Sequence, residues 1–71
     1  MSRQLVSETV VGYRLVGGTD WPVKTQLHRE EHYGVRWIVT RDLCNGVPLV
    51  AEEFRRRKDA VAEYKRVGGR L

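Results

Sequence analysis

The chain has 71 residues, 41% of them hydrophobic and 31% charged, with 13 Lys and Arg against 9 Asp and Glu for a formal net charge of +4. That length admits one domain with a thin core, because a chain of this size buries only about 60% of the surface its unfolded form exposes. The lone cysteine, Cys44, excludes an internal disulfide, and no apolar stretch approaches the roughly 20 residues a membrane span requires. The opening Met-Ser-Arg-Gln-Leu-Val also lacks the apolar stretch of a secretory signal. The expectation is a soluble, cytoplasmic protein.

The position of the charge is more informative than its size. Residues 55–71 hold seven bases (Arg55, Arg56, Arg57, Lys58, Lys65, Arg66, Arg70) against Asp59 and Glu63, a balance of +5. Residues 1–54 carry six bases and seven acids, a balance of −1. The whole positive excess therefore sits on the last quarter of the chain, which points to a polyanionic partner.

In chain order, residues 1–7 are polar and mixed and are expected to fray. Residues 8–16 contain Val10, Val11, Tyr13, Leu15 and Val16, a β-branched and aromatic run that predicts a strand. Gly17-Gly18-Thr19-Asp20 predicts a turn, and Pro22 suits the start of the next strand. From 23 to 28 the alternation is clean: Val23, Thr25 and Leu27 on one side, Lys24, Gln26 and His28 on the other. Residues 29–33 read as a charged turn, and Gly34 opens a third strand. On it Val35, Trp37, Val39 and Leu43 share one face, and Arg36, Ile38, Thr40 and Asp42 share the other.

Asn45-Gly46 supplies the two positive-φ positions of a tight hairpin. That turn sets Cys44 opposite Val47 and Trp37 opposite Phe54. Two continuations are open. In one, residues 47–54 form a strand and 56–67 a helix closed by Gly68-Gly69. In the other, Pro48 begins a single long helix reaching Val67, with Leu49, Val50, Phe54, Ala60, Val61, Tyr64 and Val67 on one side. The hairpin signal favours the first, although Arg56 is a poor N-cap. The expected fold is α+β: a meander of three or four antiparallel strands with one C-terminal helix packed on it, residues 8–71 forming a single domain.

Catalytic chemistry finds little support. His28-Arg29-Glu30-Glu31-His32 matches an H-x-x-E-H zinc pattern, but that chemistry needs both histidines on one helical face and a further ligand. The string follows an alternating strand, so two exposed histidines in a charged turn are expected. Cys44 has no second cysteine or nearby histidine, and Glu30-Glu31 and Glu52-Glu53 read as solvated faces. No nucleophile triad or phosphate loop appears. No enzyme activity, metal, cofactor or small-molecule substrate is expected.

The string Arg55-Arg56-Arg57-Lys58 is the main candidate for binding. Four adjacent cations repel one another and sit at the positive end of a helix, a placement an anion would relieve. The bland alternative is a solubilising run facing Glu52, Glu53 and Asp59. Arg36, Thr40 and nearby Arg41 add a second basic feature on a sheet, where an arginine can read a guanine edge.

The segment Tyr33-Gly34-Val35-Arg36-Trp37, Arg41-Asp42, Asn45-Gly46, Phe54, Ala60 and Ala62-Glu63-Tyr64 resembles the sheet-plus-helix DNA-binding fold of AP2-type domains and phage-integrase arm-binding domains. The resemblance spans residues 33–67. It implies an Ala, here Ala60, six residues after the Phe that packs the helix on the sheet. It also implies that Arg36 and Arg41 are aimed at DNA. The functional expectation is a small DNA-binding module. The alternative is a protein-binding inhibitor or adaptor, of the kind phages and mobile elements encode, that meets an acidic protein face.

Overall fold

A computed structural model describes residues 2–43 and 48–71. Four strands, β1 (Ser2–Val16), β2 (Thr19–Glu31), β3 (Val35–Leu43) and β4 (Pro48–Phe54), precede one helix, α1 (Arg57–Arg66). The strands pair antiparallel in sequence order, β1-β2-β3-β4. The expected α+β meander with a C-terminal helix is the observed architecture.

The alternation from 23 to 28 sets the core. Val23, Thr25 and Leu27 turn inward and are buried, while Lys24, Gln26 and His28 lie on the other face. Val39 joins them from β3, and Ala60 and Tyr64 close the layer from α1, with Trp37, Phe54, Val61 and Val67 around the rim. Burying each large apolar side chain contributes roughly 1.5–3 kcal/mol. With so few of them, stability rests on a handful of contacts.

The hairpin register follows the sequence reading on one side and departs from it on the other. Trp37 pairs with Phe54, and the same offset runs to Arg41 with Val50. It then slips, so that Asp42 pairs with Pro48. The Asn45-Gly46 turn and the Cys44–Val47 pair lie outside the described residues. The long-helix alternative fails because 48–54 is strand; α1 starts only after Phe54 has paired with Trp37.

Arg56 occupies the N-cap with extended backbone and no side-chain cap bond. The C-terminus is closed as its two glycines suggest. Gly68 (φ +102) donates its N–H to Lys65 O at 3.1 Å, and Gly69 N–H to Tyr64 O at 2.8 Å, a Schellman closure. Gly69 is glycine for a different reason: a Cβ there would lie 2.5 Å from the Tyr64 ring.

The N-terminal expectation needs correcting. Residues 2–7 do not fray but extend β1, with Ser2 opposite Glu31 and Arg3 opposite Glu30. Hydrogen bonds from far along the chain hold this segment. Tyr64 Oη lies 3.0 Å from Ser7 Oγ and 2.8 Å from Thr9 Oγ1, Arg70 N–H donates to Thr9 Oγ1 at 3.0 Å, and Ser7 Oγ donates to Arg70 O at 3.0 Å. Pro22 lies inside β2 rather than at its start. Among the described residues β3 pairs with β2 only from Val23 onward, so none of them needs the missing N–H of Pro22.

Candidate functional site

The β2–β3 turn, the start of β1 and the β4–α1 junction come together at one end of the sheet, since Ser2 pairs with Glu31, Glu31 with Val35 and Trp37 with Phe54. Arg3, Arg29, Arg36, Arg55, Arg56, Arg57 and Lys58 therefore share this end with Glu30, Glu31, Glu53 and Asp59. Three bases are matched to acids: Arg3 Nη2 to Glu30 at 2.8 Å, Arg29 Nη1 to Glu31 at 3.2 Å and Arg36 Nε to Glu53 at 3.1 Å. Arg55, Arg56, Arg57 and Lys58 are exposed and form no ion pair among the described residues. The surplus charge at this end is thus concentrated where the sequence placed it, on the uncapped first turn of α1.

Two aromatic rings accompany these cations. The Arg57 guanidinium lies 5.9 Å from the Trp37 ring centre. Tyr33 is 99% exposed, sits at φ +58 and has its ring 4.4 Å from that of His32. A left-handed backbone costs a non-glycine residue roughly 1–2 kcal/mol. In the sequence Tyr33 falls in a charged turn and Trp37 opposite Phe54. The Trp37–Phe54 pairing brings Trp37 beside the basic string, and Tyr33 sits in the turn at the same end of the sheet.

The two sheet faces separate the other predicted residues. Arg36 and Thr40 lie on the face away from the helix, opposite Glu30 and Gln26 on β2. That face is already neutralised: besides the pairs from Arg3 and Arg36, Lys24 Nζ is 3.8 Å from Asp42, and Gln26 Nε2 donates to Glu8 at 2.8 Å. Its three bases (Arg3, Lys24, Arg36) face five acids (Glu8, Asp20, Glu30, Asp42, Glu53), so it offers a polyanion no net attraction.

Arg41, expected beside Arg36, lies instead on the helix side, opposite Thr25 and Val50. With Val39, Val50, Glu52, Glu63, Arg66 and Val67 it lines a cleft of about 140 Å³ between α1 and the β3–β4 pair. Arg66 Nη2 donates to Glu63 at 2.9 Å, and this bond, with the nearby positive charge, holds the Glu63 carboxyl below its usual range. Two bases and two acids leave this cleft balanced. Adjacent numbering had joined Arg36, Thr40 and Arg41; the pleat puts Arg41 on the opposite face.

The H-x-x-E-H string is extended. His28 lies on β2, with Nε2 3.0 Å from Gln26 Oε1, and His32 lies in the turn beyond the strand's end. Residues four apart on extended backbone stand about 13 Å apart, too far to share one ion. Among the described residues no group of three or more His, Cys, Asp or Glu could hold a metal, and no helix is long and apolar enough to cross a membrane. No family model, curated protein or solved structure matches this chain.

Proposed function

We propose that the chain is a non-enzymatic module that binds the phosphate backbone of nucleic acid, DNA in the first instance, at the β4–α1 junction. The observation that carries this reading is the run Arg55–Lys58: four exposed cations without an acidic partner among the described residues, leading into the start of a helix whose dipole is positive there. Elsewhere at this end nature has matched base to acid. Trp37 beside the run and exposed Tyr33 at the same end of the sheet add ring faces on which an unpaired base can stack. This reading moves the contact from the sheet face to the end of the sheet, and Arg36 and Thr40 become neighbours of the site.

The test is anisotropy of labelled duplex and single-stranded oligonucleotides across a salt series. Each neutralised phosphate contributes a slope of about −0.9 in log K against log salt for duplex DNA. The variant R55Q/R56Q/R57Q/K58Q is expected to flatten that slope by about 3–4, whereas R36Q leaves it nearly unchanged. No binding at low salt, or equal losses from the two variants, overturns the proposal.

The same four cations suit an acidic protein face, which keeps the adaptor reading in view. Capture from lysate with and without nuclease distinguishes the two: a stoichiometric protein that survives nuclease favours the adaptor.

A further inference from the structure

The longest strand, β1, is one edge of the sheet and among the described residues pairs only with β2. It carries Leu5, Val6, Val10, Tyr13, Leu15 and Val16 between 38% and 74% exposed. A long, apolar, unpaired edge is a template for another strand. Its charges are few: Arg3, bound to Glu30, Glu8, bound to Gln26, and Arg14.

The irregularities of β1 indicate which strand it fits. Its register against β2 shifts twice, between Leu5 and Ser7 and between Val10 and Tyr13, where Gly12 has φ +70. Thr9 is the midpoint of Ser2–Val16, and the two shifts lie on either side of it, their outer limits Leu5 and Tyr13 each four residues away. Outward from Thr9, Glu8 and Val10 lie on the face away from the helix, opposite Gln26 and Lys24. Beyond the shifts, Leu5 and Tyr13 lie on that same face, opposite His28 and Pro22, as do Arg3 and Leu15, opposite Glu30 and Asp20. Gln4 and Arg14 lie on the helix side, opposite Arg29 and Trp21. Each shift flips the facing of the residues beyond it, but because the shifts are symmetric about Thr9 the two arms of the strand stay in phase.

We propose that β1 pairs antiparallel with β1 of a second copy of this chain about a two-fold axis at Thr9, making one continuous eight-stranded sheet. An ordinary straight strand would fall out of phase with β1 at each irregularity. Its own copy, turned about Thr9, sets irregularity against irregularity and keeps residues 3–5, 8–10 and 13–15 on the same faces as their counterparts. Leu5 then meets Tyr13 of the second copy twice, Val10 meets Glu8, Leu15 meets Arg3, and Arg14 meets Gln4. No like charges stand directly opposite, and the two Leu–Tyr contacts are favourable cross-strand pairs. Glu8 is the one charged residue diagonal to its own copy, and Gln26 draws it towards β2. The antiparallel arrangement places the two basic ends at opposite ends of the assembly. This proposal does not depend on what those ends bind.

Sedimentation of the full chain from micromolar to millimolar concentration is the test. The expected mass is about twice the 8.2 kDa of one chain. The register is read by two variants at exposed positions, with circular dichroism confirming the fold. L5K/Y13K sets lysine against lysine twice and is expected to weaken association at least about tenfold, whereas L5K/Y13E sets opposite charges together and restores it. A monomer at every concentration overturns the dimer. A dimer indifferent to both variants overturns this pairing.

Discussion

Tyr64 is fully buried, yet its hydroxyl reaches Ser7 and Thr9 on a strand formed at the other end of the chain. Tyr64→Phe keeps the ring in the core and leaves two hydroxyls short of a partner. It should lower stability by about 1–2 kcal/mol in urea unfolding, since a hydrogen bond contributes about 1 kcal/mol. Thr25 is the opposite case. Its side chain is fully buried and Oγ1 has no partner among the described residues. Thr25→Val keeps the shape and removes the unsatisfied oxygen, so stability should rise by about 1–2 kcal/mol. His28 is half-buried, and burial, aided by the Arg3 charge, lowers its pKa below the ordinary 6.5. The unfolded chain then binds more protons than the folded one just below that value. Stability should therefore fall as pH drops through 6.5 and level off below the depressed folded pKa. His28→Gln should flatten that step in pH-dependent thermal unfolding while leaving the loss below pH 4.5, where Glu63 titrates, in place.

At the scale of elements, the first turn of α1 departs most from what local stability favours. Arg56 fills the N-cap without a cap bond, and more cations follow it. Arg56→Asp adds a cap worth about 1 kcal/mol and a favourable charge on the dipole. Thermal unfolding should show the variant more stable, while the oligonucleotide titration should show it binding more weakly. Opposite signs are what a site that sacrifices stability for binding produces. The pairing of Trp37 with Phe54 was legible in the sequence, because it is the offset that a two-residue Asn45-Gly46 turn would imply. The slip at Asp42–Pro48 was not, since nothing local distinguishes a regular ladder from one with a residue left over. The Ala60 contact implied by the Phe54 spacing is present, with Ala60 buried against Leu27 and Val39.

Across the whole molecule, 42 Å long and 14 Å thin, the two ends differ in kind. One carries the surplus cations. At the other, the β1–β2 hairpin runs on past the last β2–β3 pair, Val23–Leu43, with Tyr13 and Leu15 exposed. A two-stranded ribbon without a packed layer is marginal by itself. Hydrogen exchange should find amides at 13–20 the least protected of the sheet and those of Leu27 and Val39 the most.

Period-two alternation, two glycine pairs and an Asn-Gly were sufficient to determine the meander, the inward face of β2 and the helix end. These are local signals, set by backbone sterics and by which side chains avoid water. Charge counting likewise located the basic excess at 55–58. Only the tertiary structure decided that residues 2–7 are strand, because their partners are Glu31, Tyr64 and Arg70, far along the chain. It also decided that Arg41 parts from Arg36, that the sheet face neutralises itself and that Arg57 lies over Trp37. Those outcomes depend on which strand lies next to which, and pairing partners distant in sequence leave no periodicity in the sequence itself.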